Sequence, residues 1–123
     1  MSKPSEELGS RLVRTARSVA GDELRSVTYF DDEDVEQLYL RSDLDKDADL
    51  VGFAENERLG YQSQQAYRRT QLGGYRFTIR VFDDGYLTRV IEEDRGVWIT
   101  TDPMAIDRFE EVAAALAGVL REE

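Results

Sequence analysis

Three arginines, Arg76, Arg80 and Arg89, share one alternating stretch of the chain with Leu87 and with the lone tryptophan, Trp98. A guanidinium is a planar fork that meets a carboxylate or phosphate through paired N–H bonds, and an indole supplies an apolar wall. The chemistry on offer is recognition of an anion or an acidic partner. A second candidate surface is YQSQQAYRRTQ, residues 61–71, where Tyr67, Arg68 and Arg69 occupy the least acidic part of the chain. A third cluster, Asp43, Asp45, Asp47 and Asp49, alternates like the first ligands of a calcium loop. Ala48 stands where that loop needs glycine for its sharp turn, and Ala54 where a bidentate glutamate closes the site. The aspartates read better as the acidic start of a helix, where the dipole favours negative charge.

Reaction chemistry is nearly absent. The chain has no histidine and no cysteine, so the usual general base, thiol nucleophile and zinc ligands are missing. Neither G-x-x-x-x-G-K-[ST] nor G-x-G-x-x-G occurs, so no phosphate-cradling loop is expected. Paired carboxylates are abundant but form the background of the whole surface. A non-enzymatic protein with no cofactor and no metal is expected.

Charge narrows the partners. The net charge is −10, from 26 carboxylates against 14 arginines and only two lysines, Lys3 and Lys46. Nucleic acid is excluded as an expected partner, because phosphate contacts need a basic footprint. An acidic, lysine-poor, arginine-retaining surface suits a salt-rich cytoplasm, where carboxylates hold water and their repulsion is screened. A halophilic, archaeal and cytoplasmic origin is therefore expected. Neither a signal peptide nor an apolar run near membrane-spanning length is visible, so no membrane association is expected.

The elements that must carry the arginines are strands. Gly73–Asp102 reads as a three-stranded antiparallel meander: Tyr75–Val81, Tyr86–Glu92 and Val97–Thr101. The first alternates with a period of two. Asp84-Gly85 is expected as the hairpin turn, which sets Arg80 opposite Arg89. Like charges across a ladder repel, so either the chain's own carboxylates neutralise the pair or an anion does. One face, with Tyr75, Phe77, Ile79, Val81, Val90, Val97 and Ile99, is expected to be buried. The other, with Phe82, Leu87, Ile91 and Trp98 among the three arginines, is expected to be partly bare. Glu93–Gly96 is expected as a polar turn.

Before the meander, Met1–Gly21 reads as a helix with an apolar stripe of Leu8, Leu12, Ala16 and Val19. Arg25–Phe30 and Val35–Arg41 form a hairpin around an acidic loop, with Val27, Tyr29, Leu38 and Leu40 on one face and Phe30, Val35 and Tyr39 on the other. Residues 47–70 read as mostly helical. A last helix opens near Asp107 and Glu110, a capping-box-like pair, and runs a stripe of Phe109, Val112, Ala113, Leu116, Val119 and Leu120.

The order is α-β-β-α-β-β-β-α: an α+β domain, spanning 1–123, with a five-stranded antiparallel sheet and helices on both faces. This order resembles the roadblock (LC7) family, whose fold is related to profilin-like domains. The resemblance implies a sheet with the middle helix on one face and the terminal helices on the other. It also implies homodimerisation through sheet extension or helix packing, and regulatory partners such as small GTPases. Separately, LRSVTYFDDEDVEQLYLRSDL and YRFTIRVFDDGYLTRVIEEDRGVWITTDP look like a family of small haloarchaeal proteins of unknown function. The function expected is a protein-protein interaction or dimerisation module; a sensor for a small anion, using the arginines on the sheet, is the alternative.

Overall fold

The computed structural model describes residues 6–45 and 71–122. Helix α1 (Glu6–Ala20) opens with Glu6 and Glu7 and closes near Arg17, charges that complement its dipole. It buries Leu8, Leu12 and Ala16, and stops at Gly21, whose φ of +64° costs an L side chain but not glycine. A single 3₁₀ turn, Gly21–Glu23, leads into the sheet. The strands are β1 (Leu24–Asp31), β2 (Val35–Leu40), β3 (Thr78–Phe82), β4 (Gly85–Glu92) and β5 (Arg95–Thr101), and helix α2 (Ile106–Glu122) follows. The helix expected over 47–70 lies outside the described residues.

The strands form one antiparallel sheet in the order β2-β1-β5-β4-β3. The expected α+β architecture is therefore present, with both described helices on one face. Leu12, Ala16, Phe109, Val112 and Leu116 pack there against Val27, Val90, Val97 and Ile99. Each fully buried Leu, Val or Phe contributes roughly 1.5–3 kcal/mol, so this layer is the main source of stability. The helices run antiparallel and are tied at both ends. Arg108 near the start of α2 reaches Val19 O and Glu23 on one side, each at 2.5 Å. Arg11 near the start of α1 bonds Glu122 at the other.

The strand ends and registers depart from expectation in instructive ways. The β3–β4 turn is Asp83-Asp84, not Asp84-Gly85, and pairs Phe82 with Gly85. Arg80 consequently faces Leu87, and Thr78 faces Arg89, so the Arg80–Arg89 pair does not form. Gly85 is a strand residue for a packing reason: a Cβ there would sit 2.5 Å from Thr101 O. Gly96 is likewise in β5, not in a turn, because a Cβ would collide with the Phe30 ring. The β4–β5 turn shrinks to Glu93-Asp94, with Glu93 at φ 58°. In the first hairpin a bulge at Leu38 shifts the register between Val27 and Thr28. Tyr39 thereby joins Leu38 on the helix face, and Leu40 falls opposite Ser26 instead of sharing the face of Val27. Helix α2 begins at Ile106, so Asp107 sits inside its first turn and does not cap it.

Candidate interaction surface at the sheet edge

The sheet has two outer strands, β2 and β3. No described strand pairs with the far side of β3, so its outward N–H and C=O groups present a template for another chain. Val81 is 70% exposed and Phe82 46%. Val81 was expected on the buried face, but the described helices do not extend over the end of β3. Arg80, just before them, is also exposed. Beside this edge lies a cleft of about 350 Å³, where Arg25, Phe82, the Asp83-Asp84 turn and Tyr86 meet. Arg25 is the extra residue in β1 where pairing to β5 shifts register, and its side chain reaches toward Gly85.

The other sheet face is not half bare. Phe30, Leu87 and Trp98 are fully buried and Ile91 nearly so, with the Phe30 and Trp98 rings 5.6 Å apart. Tyr75, ahead of β3, packs against this cluster and not against the helix-side core, because the alternation expected from Tyr75 begins only at the strand itself. Arg89 is buried on this face and donates to Thr78 Oγ1 at 3.0 Å and to the Tyr75 hydroxyl at 3.4 Å. Leu87, Trp98 and Arg89 are thus core residues in this conformation. Of the three arginines, Arg80 lies at the exposed edge, and Arg76 points toward Glu110 of α2, 4.0 Å away. The structure does not gather the trio at one point. Tyr67, Arg68 and Arg69 lie outside the described residues.

Several other arginines are engaged with the chain's own acids. Arg41 after β2 grips Asp102 with both terminal nitrogens, at 2.7 and 3.3 Å, bonds Asp43 at 2.6 Å, and donates to Asp22 O. These partners raise the Arg41 pKa further above its ordinary value. The hydrogen bond from Arg41 holds the Asp43 carboxyl below the usual range. Asp43 is thus held in a salt bridge, and Asp47 and Asp49 of the same run lie outside the described residues. Asp31 turns the acidic loop on itself, accepting from the backbone N–H of Glu33 and Asp34 at 2.9 and 2.8 Å. Burial, reinforced by the Asp31 charge, pushes the Tyr29 phenol up to about 12. Among the described residues no three acidic groups are placed to hold a metal ion, and no helix is long and apolar enough to cross a membrane.

Phe82 was read on the face expected to be partly bare, whereas Val81 was legible as apolar but not as exposed. The missing signal was position in the sheet, which periodicity does not encode.

Solved structures share this fold. The chain superposes on the gliding protein MglB of Thermus thermophilus with a TM-score of 0.66 at 15% identity, covering 98% of this chain and 99% of that one. It matches an MglB described with a tetrameric arrangement at 0.64 and 16% identity, covering 98% of each chain. It matches MglB of Myxococcus xanthus at 0.64 and 9% identity, covering 99% and 96%. At such identities the likeness is one of fold. No curated protein matches. The family profile described as "Domain of unknown function (DUF7522)" matches residues 10–121, nearly the whole of the described fold, and the chain belongs to that family.

Proposed function

We propose that this protein is a non-catalytic interaction module that associates with a second copy of itself along the outer edge of β3. The observation that carries the reading is the pairing of an outermost strand with two exposed apolar side chains, Val81 and Phe82. Adding a strand satisfies the outward backbone groups and removes both side chains from water in one step. The structural neighbours support it in kind, since one of them is described in a tetrameric arrangement. A regulatory partner such as a small GTPase, which the roadblock resemblance implies, would then meet the assembled dimer.

The charge of −10 opposes association of like chains. Screening shortens the reach of that repulsion from about 10 Å at 0.1 M salt to about 3 Å at 1 M. Dimerisation should therefore tighten as salt rises, as a halophilic cytoplasm would require. Light scattering on the eluting protein across that range tests the reading. A dimer that strengthens with salt and is lost in Val81→Lys supports it; a monomer at every concentration and salt sinks it.

A further inference from the structure

The cleft beside the β3–β4 turn, about 350 Å³, has room for a small molecule or one long side chain. Its walls come from β1, β5 and both sides of the turn, so occupation needs no second chain along β3.

The charged groups around it are not equivalent. Arg25 is already paired with Asp102 at 3.8 Å. Asp83 and Asp84 are exposed, and their carboxylates make no ion pair or hydrogen bond among the described residues. The charge left unmet in the cleft is therefore negative. It lies beside two aromatic rings. Phe82 is 46% exposed, and Tyr86 is braced by Phe109, with ring centroids 4.7 Å apart. The face of such a ring attracts a cation. A further unmet group belongs to the cleft wall. Thr101 is fully buried, yet its Oγ1 has no hydrogen-bond partner among the described residues. A hydroxyl oxygen accepts from an N–H donor, and buried polar atoms rarely stay unpaired.

We infer that this cleft binds an organic cation bearing a guanidinium group. A planar guanidinium stacks on an aromatic face and still directs N–H groups sideways to carboxylate and hydroxyl oxygens. Phe82 supplies the face; Asp83, Asp84 and Thr101 supply the oxygens. An alkylammonium of the same charge lacks the stacking plane. An anion would meet two carboxylates and an arginine that is already engaged.

Matched monovalent probes, butylguanidinium and butylammonium, test this by titration into isotope-labelled protein at about 0.1 M salt, where attraction still reaches about 10 Å. Amide shifts with butylguanidinium should concentrate at residues 82–86 and 100–101. The equally acidic loop Asp31–Asp34 should change little, and so serves as the control for diffuse cation binding. The double variant Asp83→Asn, Asp84→Asn keeps turn-forming residues and should bind about ten-fold more weakly, having lost two exposed charge pairs. Phe82→Leu keeps apolar bulk without the ring and should weaken binding roughly three-fold. An amide spectrum unchanged outside the cleft shows that each variant is folded. Binding should weaken in about 1 M salt, the reverse of the tightening expected of the dimer, so either reading can fail without the other. A blocked Gly-Arg-Gly peptide distinguishes the sources: tighter binding than butylguanidinium supports a partner's arginine side chain, and weaker binding supports a free small molecule. Equal binding of butylammonium overturns the guanidinium assignment. Shifts spread equally over the Asp31–Asp34 loop, or absent at about 20 mM probe, overturn the site. Benzoate moving the same amides more strongly, with the effect lost in Arg25→Gln, overturns it in favour of an anion.

Discussion

The two outer strands of this sheet solve the same problem in opposite ways. Strand β2 is defended. Its bulge at Leu38 breaks the flat ladder, and Leu38 and Tyr39 turn inward onto the helix-side core. Leu38 lies against Gly9 of α1, and Arg17 stacks over the Tyr39 ring at 5.5 Å. Arg41 then staples the strand's end to Asp102 beyond β5. Among the described residues, strand β3 pairs with β4 without a bulge, and Val81 and Phe82 are exposed. Bulges, inward side chains and charge clamps are the means by which proteins stop edge pairing. Their concentration on β2 supports the proposal that β3 is the edge that takes a partner.

The contrast can be broken from the middle. Gly96→Ala would drive a methyl into the Phe30 ring and Val90 O, forcing β5 away from its neighbours and loosening both edges at once. A loss of about 3 kcal/mol is expected, near the upper end for overpacking, measured by urea unfolding. An unchanged midpoint would show that the Phe30 ring gives way.

Removing the clamp tests one edge alone. Arg41→Ala should cost about 1 kcal/mol, because the site still meets solvent and such pairs are partly screened. Amide exchange should rise in β2 but not in β3. Equal protection in both strands would mean that the bulge and inward side chains suffice without the clamp.

Alkaline pH probes the defended hairpin. Folding holds the Tyr29 phenol protonated to about 12 against an ordinary value of 10.0. The folded state then binds the proton more tightly, so this contribution is intact below pH 10 and falls away as pH rises toward 12. Tyr29→Phe should flatten the decline in that window; the same slope in both proteins would assign the loss elsewhere.

The smallest effect is at Asp43. Its pKa is lowered by the bond from Arg41, so its contribution is present above the ordinary carboxylate range and lost as pH falls through the folded value. Asp43→Asn should reduce the acid slope of stability slightly while leaving β3 association unaltered in light scattering.

How much of this was legible beforehand follows the length of the interaction involved. The helical stripe from Phe109 to Leu120 and the strand alternation of β1 and β4 are local patterns, and both were read directly. The Asp84-Gly85 dipeptide misled because glycine answers two different demands. At position 85 the demand came from Thr101 O, far along the chain, not from turn dihedrals. The expected surface of Arg80, Arg89, Leu87 and Trp98 dissolved for a similar reason: side chains that share a strand face differ in burial according to how central their strand is.

From the residues alone came the α+β class, the five antiparallel strands, the apolar stripes and the acid-rich composition. Each depends on composition or on a period of two or 3.6, which the chain carries within itself. Only the tertiary structure decided which strands lie outermost, which arginines are consumed by the chain's own carboxylates, and that Val81 faces water. Those outcomes depend on contacts between segments far apart in the chain, and no local period records them.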